Sequence, residues 1–353
     1  MNDFSPATAA SAPPADAISR RRLIALRLHD DAPGADHWIR IFRRAMACRF
    51  EITLSGEDAR HITVARDALD EADRLEAALT VFRESSDLMR LNRRAADGPV
   101  AVGRELFALL DRCRTLHTET DAAFDVTSTP LSRCWGFIAR EGRVPAPEAI
   151  DAARALVGMS RHVSFDSENQ TIAFTRSGVE LNLGSIGKGY AVQSIGALLR
   201  ANGVRHALVS AGASSIRAIG GRGLGWCIDL HSRQSLADGS PRLPLARLLL
   251  RNGAIGTSGT GEQFIEVEGK RYGHLIDPRT GWPATSGLLS VSVITRDAAT
   301  ADALATAFFV GGVELADRYC ARHPETLALL TPDDRSRRPL LFGRYSGAHL
   351  EDL

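Results

Sequence analysis

The segment Leu183-Gly-Ser-Ile-Gly-Lys-Gly-Tyr190 sets small residues and one cation between a stretch patterned as a strand and one patterned as a helix. Gly184, Gly187 and Gly189 let backbone N–H groups come close to a ligand. A helix N-terminus leaves such groups without intrahelical partners, and Lys188 adds positive charge. The combination suits a phosphate or pyrophosphate. It is not a Walker loop, because the stretch from Gly184 to Lys188 is too short and Gly189 stands where Ser or Thr is required. Taken alone, the segment reads equally well as a structural strand-to-helix turn.

Three further segments offer chemistry of their own. Gly253-Ala-Ile-Gly-Thr-Ser-Gly259 is followed by His274-Leu-Ile-Asp-Pro-Arg-Thr-Gly281, in which Pro278 biases Asp277 toward extended backbone and Thr280-Gly281 completes a turn. His274 or Asp277 can there take a proton from a hydroxyl or help to hold a cation; Asp277 can equally cap its own turn. Asp302 and Thr306 are four apart and share one helix face among Ala301, Ala303, Ala305 and Ala307, small side chains that allow close approach. Both are hard oxygen donors, which suit Mg²⁺ better than Zn²⁺. The alternative is an Asp favoured by the helix dipole and a Thr bonded back to its own backbone. Phe124-Asp-Val-Thr127, leading to Trp135-Gly-Phe137, places a carboxylate beside aromatic surface, as at a nucleobase or flavin edge or at an ordinary helix-to-core junction.

The elements that must carry these residues follow from periodicity. Cys48–Leu54 alternates as a strand, and residues 57–80 recur at three and four as a helix. A second helix spans about Arg104–Thr118, and strands are predicted at 162–165, 171–175 and 179–183. A helix from about Tyr190 to Ala201 stops at Asn202-Gly203. Strands follow at 206–210, 216–219, 264–268 and 289–295, then a small-residue helix from Ala301 to about Val310, a further helix, and a strand at 326–330. The interleaving lacks the regular spacing of a doubly wound sheet and predicts an α+β fold. Residues 1–38, rich in Ala, Pro, Asp and Arg, read as a disordered N-terminal extension, and 39–353 as one domain.

Lys+Arg is 43 against Asp+Glu 42, so no global field draws the chain to nucleic acid or an anionic membrane. Five scattered cysteines without a C-x-x-C pair read as reduced, which predicts a cytoplasmic protein. Ser19-Arg20-Arg21-Arg22-Leu23 reads as a basic patch and not an export signal, because the apolar run after it is short and broken by Arg27. No segment is expected to be long and apolar enough to span a bilayer.

In order and identity these segments resemble the ApbE family of flavin transferases, over about Met46 to Asp333. The landmarks are Met46 with Phe50, Ser86-Asp-Leu-Met-Arg-Leu-Asn92, Phe124-Asp125, Trp135-Gly136-Phe137, Leu183 to Ala191, Thr257-Ser258-Gly259, His274 to Gly281 and Ala301 to Ala307. The resemblance implies mixed sheets flanked by helices, with FAD as substrate bound between two halves. It implies Mg²⁺ held by Asp302, Thr306 and the Ser185 loop, and transfer of FMN to a Ser or Thr hydroxyl of an acceptor protein with release of AMP. By the same resemblance Lys188 acts on the pyrophosphate with His274 or Asp277 as base, and Phe124 and Asp125 hold the adenosine end. Met46 and Asn92 would line the flavin pocket, with Gly187, Gly189, Tyr190, Thr257, Ser258, Gly259, Ile276 and Thr280 as further FAD contacts. The chain departs from the family pattern at Ala211-Gly-Ala-Ser-Ser-Ile216, where Gly-Gly-Asp or Gly-Gly-Asn is usual. It departs also at Ala47-Cys48, Ala123 and Gln193. Two alternatives are a Mg²⁺-dependent FAD pyrophosphatase, with water in place of the acceptor, and a non-catalytic FAD-binding protein.

Overall fold

The structure, a computed structural model, describes residues 24–25, 38–221, 223–231, 244–260, 264–334 and 338–351. Apart from Trp38 and the pair Ile24–Ala25, the expected N-terminal extension lies outside them. Its centre is a sheet of eight strands: β1 (Trp38–Ala45), β2 (Cys48–Ser55), β3 (Ala207–Ala211), β4 (Ser215–Ile219), β5 (Ala254–Gly259), β6 (Leu288–Thr295), β7 (Leu327–Pro332) and β8 (Leu340–Gly343). In space they follow chain order, and each pairs antiparallel with the next. The sheet is thus a meander into which the rest of the chain is inserted.

Period-two alternation gives the sheet two apolar faces. Val209, Val293 and Leu330 face one core, which the helices cover. Leu208, Ile294 and Leu329 face a second, closed by Ile228 and Leu248 of a four-stranded sheet. That second sheet orders Ile24–Ala25, Trp226–His231, Pro244–Leu250 and Ala348–Glu351, so two residues of the expected extension form an edge strand.

The insertion after β2 carries most of the helices, including α1 (Arg104–Glu119) and α2 (Gly187–Ala201). The insertion after β5 carries the hairpin Phe264–Val267 with Lys270–Gly273 and then the His274–Gly281 loop. Between β6 and β7 runs α3 (Ala298–Arg322), packed on β5, β6 and α2.

The α+β class holds, and several elements differ from their sequence pattern. The helix expected over 57–80 is a 3-10 segment, Gly56–His61, and two helices, Ile62–Ala68 and Asp70–Leu79, joined at Leu69, whose N–H bonds back to Arg66 O. The predicted strand at 179–183 is not one. Instead Asn92 imitates a neighbouring strand, its Nδ2 donating to Leu181 O and its Oδ1 accepting from Leu181 N, both at 2.9 Å.

The α2 helix starts at Gly187, earlier than low glycine propensity suggests, because tertiary contacts hold its first turn. The α3 helix starts at Ala298, with Asp297 capping Thr300 N and Gln193 Oε1 accepting from Ala298 N. It absorbs both predicted helices across a kink at Gly312 (φ 76°). This helix also corrects the expectation that no segment is long and apolar enough to cross a membrane: its apolar window is 67% buried inside the fold, as befits a core helix.

Candidate active site

A cleft of about 350 Å³ opens where the helical insertion meets the sheet. The insertion supplies Phe82, Phe124, Ser128, Thr129, Ser132, Ser185 and Lys188 to one wall. The other wall has Ser214 from the β3–β4 turn, Thr257 to Gly259 from β5, His274 to Ile276 from the following loop, and Asp302 and Thr306 from α3.

Missing side chains make this convergence possible. A Cβ on Gly189 would lie 2.1 Å from Ala298 O, and one on Gly256 would lie 2.4 Å from Ala301 O. Both glycines therefore let α2 and β5 approach the backbone of α3. Asp302 sits at that crossing, 7% exposed. Its Oδ2 accepts from Gly189 N at 2.6 Å and from Ser215 Oγ at 2.8 Å. One turn on, Thr306 Oγ1 lies 3.0 Å from Ser258 Oγ and 3.4 Å from its own-helix acceptor, Asp302 O. The back-bond weighed for Thr306 is thus present, but long beside the contact with Ser258.

Around this pair the donors are oxygen. Among the described residues no group of three or more His, Cys, Asp or Glu side chains forms a metal cluster. Lys188, half-buried at the first turn of α2, lines the cleft and has no ion pair among the described residues.

The aromatic landmark has a structural task. Trp135 is fully buried and donates Nε1–H to Gly281 O at 2.9 Å, while its ring packs against Tyr272 and Trp282. A Cβ on Gly281 (φ 80°) would lie 2.6 Å from Ile150 Cγ2, so the loop presses against the same apolar cluster. The opposite end of the loop carries the cleft-facing His274, whose ring meets the Phe137 ring edge-on at 6.5 Å. Asp277 is occupied locally: Oδ1 accepts from Arg279 N and Nε at 2.9 Å, and Oδ2 accepts from Nη2 at 2.8 Å. That pairing holds the Arg279 guanidinium above its ordinary value.

The sequence-derived residues thus divide. Phe124, Asp125, Ser185, Lys188, Thr257, Ser258, Gly259, His274, Ile276, Asp302 and Thr306 line the cleft. The buried carboxylate of Asp125 is directed into the protein, where it accepts from Thr127 N, Thr127 Oγ1 and Met159 N and lies 3.3 Å from His117 Nδ1. Asp277 and Thr280 line a neighbouring hollow instead. Gly187 and Gly189 are buried in the first turn of α2.

Tyr190 turns away to donate to Glu105 Oε1 at 3.0 Å, and burial, with that carboxylate, pushes its phenol up to about 12. Asn92 serves the backbone clamp described above. Met46 (φ 47°) and Ala47 (φ 56°) form the two-residue turn of the β1–β2 hairpin, whose twist requires both to be left-handed. Several cleft residues escaped the sequence reading: Phe82, Ser128, Thr129, Ser132 and Asn182. No local pattern marks Phe82, 75% exposed, as functional, but Thr129 Oγ1, buried without a hydrogen-bond partner, is the kind of group a ligand satisfies.

A cation, a carboxylate and hydroxyls thus converge at a helix N-terminus, a place with the free N–H groups and charge that can receive a phosphate. The ApbE family profile matches residues 46–331, and the chain belongs to the ApbE family. A FAD:protein FMN transferase of Treponema pallidum is 32% identical over 277 residues, 74% of this chain and 75% of the relative. The FAD:protein FMN transferase of Escherichia coli K12 is 28% identical over 83% of this chain and 84% of its own. Among solved structures, the ApbE protein of Thermotoga maritima superposes with a TM-score of 0.74 at 28% identity, over 90% of this chain and 97% of that one. The flavin transferase ApbE of Vibrio cholerae does so with 0.73 at 25%, over 88% and 98%.

Proposed function

We propose that this chain is a Mg²⁺-dependent FAD:protein FMN transferase. The reading is carried by one observation: Lys188, Asp302 and Thr306, drawn from two distant helices, meet in one cleft, and the carboxylate of Asp302 is tied to the backbone of the glycine loop. Family membership and the transferase relatives support the same activity. FAD lies in this reading between the two walls, with its pyrophosphate at Lys188 and the first turn of α2. The Phe124 wall takes the adenosine end, Asp125 contributing by fixing that loop. Phe82 offers flat aromatic surface at the mouth of the cleft for a flavin.

The donor set fits magnesium. The Asp302 carboxylate and the Thr306 hydroxyl, with a backbone carbonyl of the Ser185 loop, would offer oxygen alone, the kind of incomplete set that Mg²⁺ completes with water and substrate phosphates. When bound, the ion withdraws charge from the pyrophosphate and makes AMP a better leaving group. The Ser or Thr oxygen of the acceptor attacks the FMN-side phosphorus, its proton passes to His274, and the P–O bond to AMP breaks. Lys188 stabilises the charge that develops on the phosphate oxygens. Asp277 shapes the loop that presents His274, because its carboxylate is engaged by Arg279. The wide spread of the five cysteines, with no C-x-x-C pair in the sequence, supports a reducing, cytoplasmic setting for the acceptor.

The test is incubation of purified protein with FAD and Mg²⁺, with and without candidate acceptor proteins, following AMP and a flavin-mass adduct. Transfer predicts both products together, and Asp302→Ala abolishes both. AMP without adduct across the acceptors tested makes the chain a pyrophosphatase, and retained FAD without AMP makes it a binder.

A further inference from the structure

Where the family pattern has a carboxylate or carboxamide after two glycines, this chain has Ala213-Ser-Ser215, and the structure shows what the second serine does. Ser215 opens β4, is fully buried, and donates Oγ–H to Asp302 Oδ2 at 2.8 Å. The same oxygen accepts from Gly189 N at 2.6 Å, so two donors, from β4 and from α2, fix one edge of the carboxylate. Ser214 continues the link: its Oγ lies 3.4 Å from Ser215 Oγ, its carbonyl accepts from Thr257 N at 2.8 Å, and it lines the cleft. The backbone beneath is pinned on both sides, since Ser215 pairs with Ala211 across the β3–β4 turn and with Gly256 in β5. Neither Ser214 nor Ser215 is on the surface, so solvation does not explain a pair of hydroxyls at this place.

We infer that Ser215 is a positioning residue for the metal carboxylate. By holding Oδ2, it sets the plane and rotamer in which Asp302 meets Mg²⁺, and so sets how tightly the ion is held. A hydrogen bond to an outer oxygen of a ligating carboxylate changes metal affinity by about 10- to 100-fold in other sites. The inference rests on the magnesium reading of Asp302 given above.

Mn²⁺ binding to the full-length chain in the presence of ADP, followed by electron paramagnetic resonance, tests it. ADP supplies a pyrophosphate without a flavin to transfer. Ser215→Ala is expected to raise the Mn²⁺ dissociation constant about tenfold. The Mg²⁺ concentration that half-saturates AMP release rises in parallel, with kcat at saturating Mg²⁺ changed much less. Ser215→Thr, which keeps the hydroxyl at the cost of a buried methyl, is expected to retain Mn²⁺ affinity even where its melting temperature falls. A merely structural role predicts the reverse ordering, with metal affinity following stability in both variants. Unchanged Mn²⁺ affinity in Ser215→Ala, or an equal loss in both variants, overturns the role of Ser215. Asp302→Ala separates the two levels: if it binds Mn²⁺ as the unaltered chain does, the metal reading itself fails and the inference with it.

Discussion

A methyl group added at Gly189 tests how the two walls of the cleft are joined. The ideal Cβ would lie 2.1 Å from Ala298 O and 2.9 Å from Asp302 Cγ, and the first of these is main chain of α3, which cannot rotate aside. Either α2 or α3 must shift, and the bond from Gly189 N to Asp302 lengthens with it. Overpacking of this kind costs about 1–3 kcal/mol, and a lost hydrogen bond to a charged group about 1.5–3 kcal/mol. Alanine returns about 1 kcal/mol of helix propensity, for a net loss of about 2–5 kcal/mol. Gly187, two residues earlier, is the internal control: nothing lies within 4 Å of its ideal Cβ. Gly187→Ala is expected to leave stability unchanged or to raise it by up to about 1 kcal/mol. Urea denaturation of the ligand-free proteins measures both, and Mn²⁺ titration with ADP reads the displacement of Asp302. A Gly189→Ala protein as stable as its parent, with Mn²⁺ binding unchanged, would refute the claim that this glycine joins the two helices at the Asp302 carboxylate.

Other outcomes follow from the same geometry. Lys188→Met removes the cleft cation and is expected to raise KM for FAD and to lower kcat, with the salt dependence of FAD binding weakened, all read by steady-state AMP release. Trp135→Phe deletes the bond to Gly281 O and is expected to cost about 0.5–1.5 kcal/mol from the hydrogen bond alone, with activity lost through the displaced His274 loop. Glu105 is held below its ordinary 4.5 chiefly by its hydrogen bond with Arg74. A depressed carboxylate stabilises the fold fully above its unfolded value, and that contribution is lost as pH falls through the lowered one. Glu105→Gln should therefore flatten the acid limb of the stability profile below about pH 4.5. Burial pushes the Cys320 thiol up to about 12 and that of Cys113 further. Both are expected to resist alkylation until the protein unfolds, as mass spectrometry of labelled peptides will show.

The sequence carried the local chemistry well and the long-range geometry poorly. Asp302 and Thr306 were legible because helical spacing alone puts them on one face; Lys188 stood out in its glycine-rich turn, but that turn alone read equally well as structural. Asn92 and Tyr190 sit inside family landmarks, yet their partners, Leu181 and Glu105, are chosen by the packing of segments remote in the chain. Nothing near Asn92 in sequence says that its amide completes an edge 89 residues away. The preference for His274 over Asp277 in the proposed reaction rests on Arg279, whose guanidinium folds back onto Asp277 across a single turn. The meander was hidden for another reason: its strands are consecutive in space but separated in sequence by insertions that hold most of the helices.

Because Asp302 meets Gly189 and Ser215 across 113 and 87 residues, the order of synthesis matters. A chain emerging from the ribosome presents its glycine loop and Lys188 long before α3 exists, and until α3 docks the first turn of α2 lacks its carboxylate. Domains fold as units once their parts are available, and contacts this far apart form late. A product truncated before residue 302 would lack both the Asp302 carboxylate and the stretch of α3 on which the first turn of α2 packs. The meander therefore closes the cleft only when α3, late in the chain between its sixth and seventh strands, has docked.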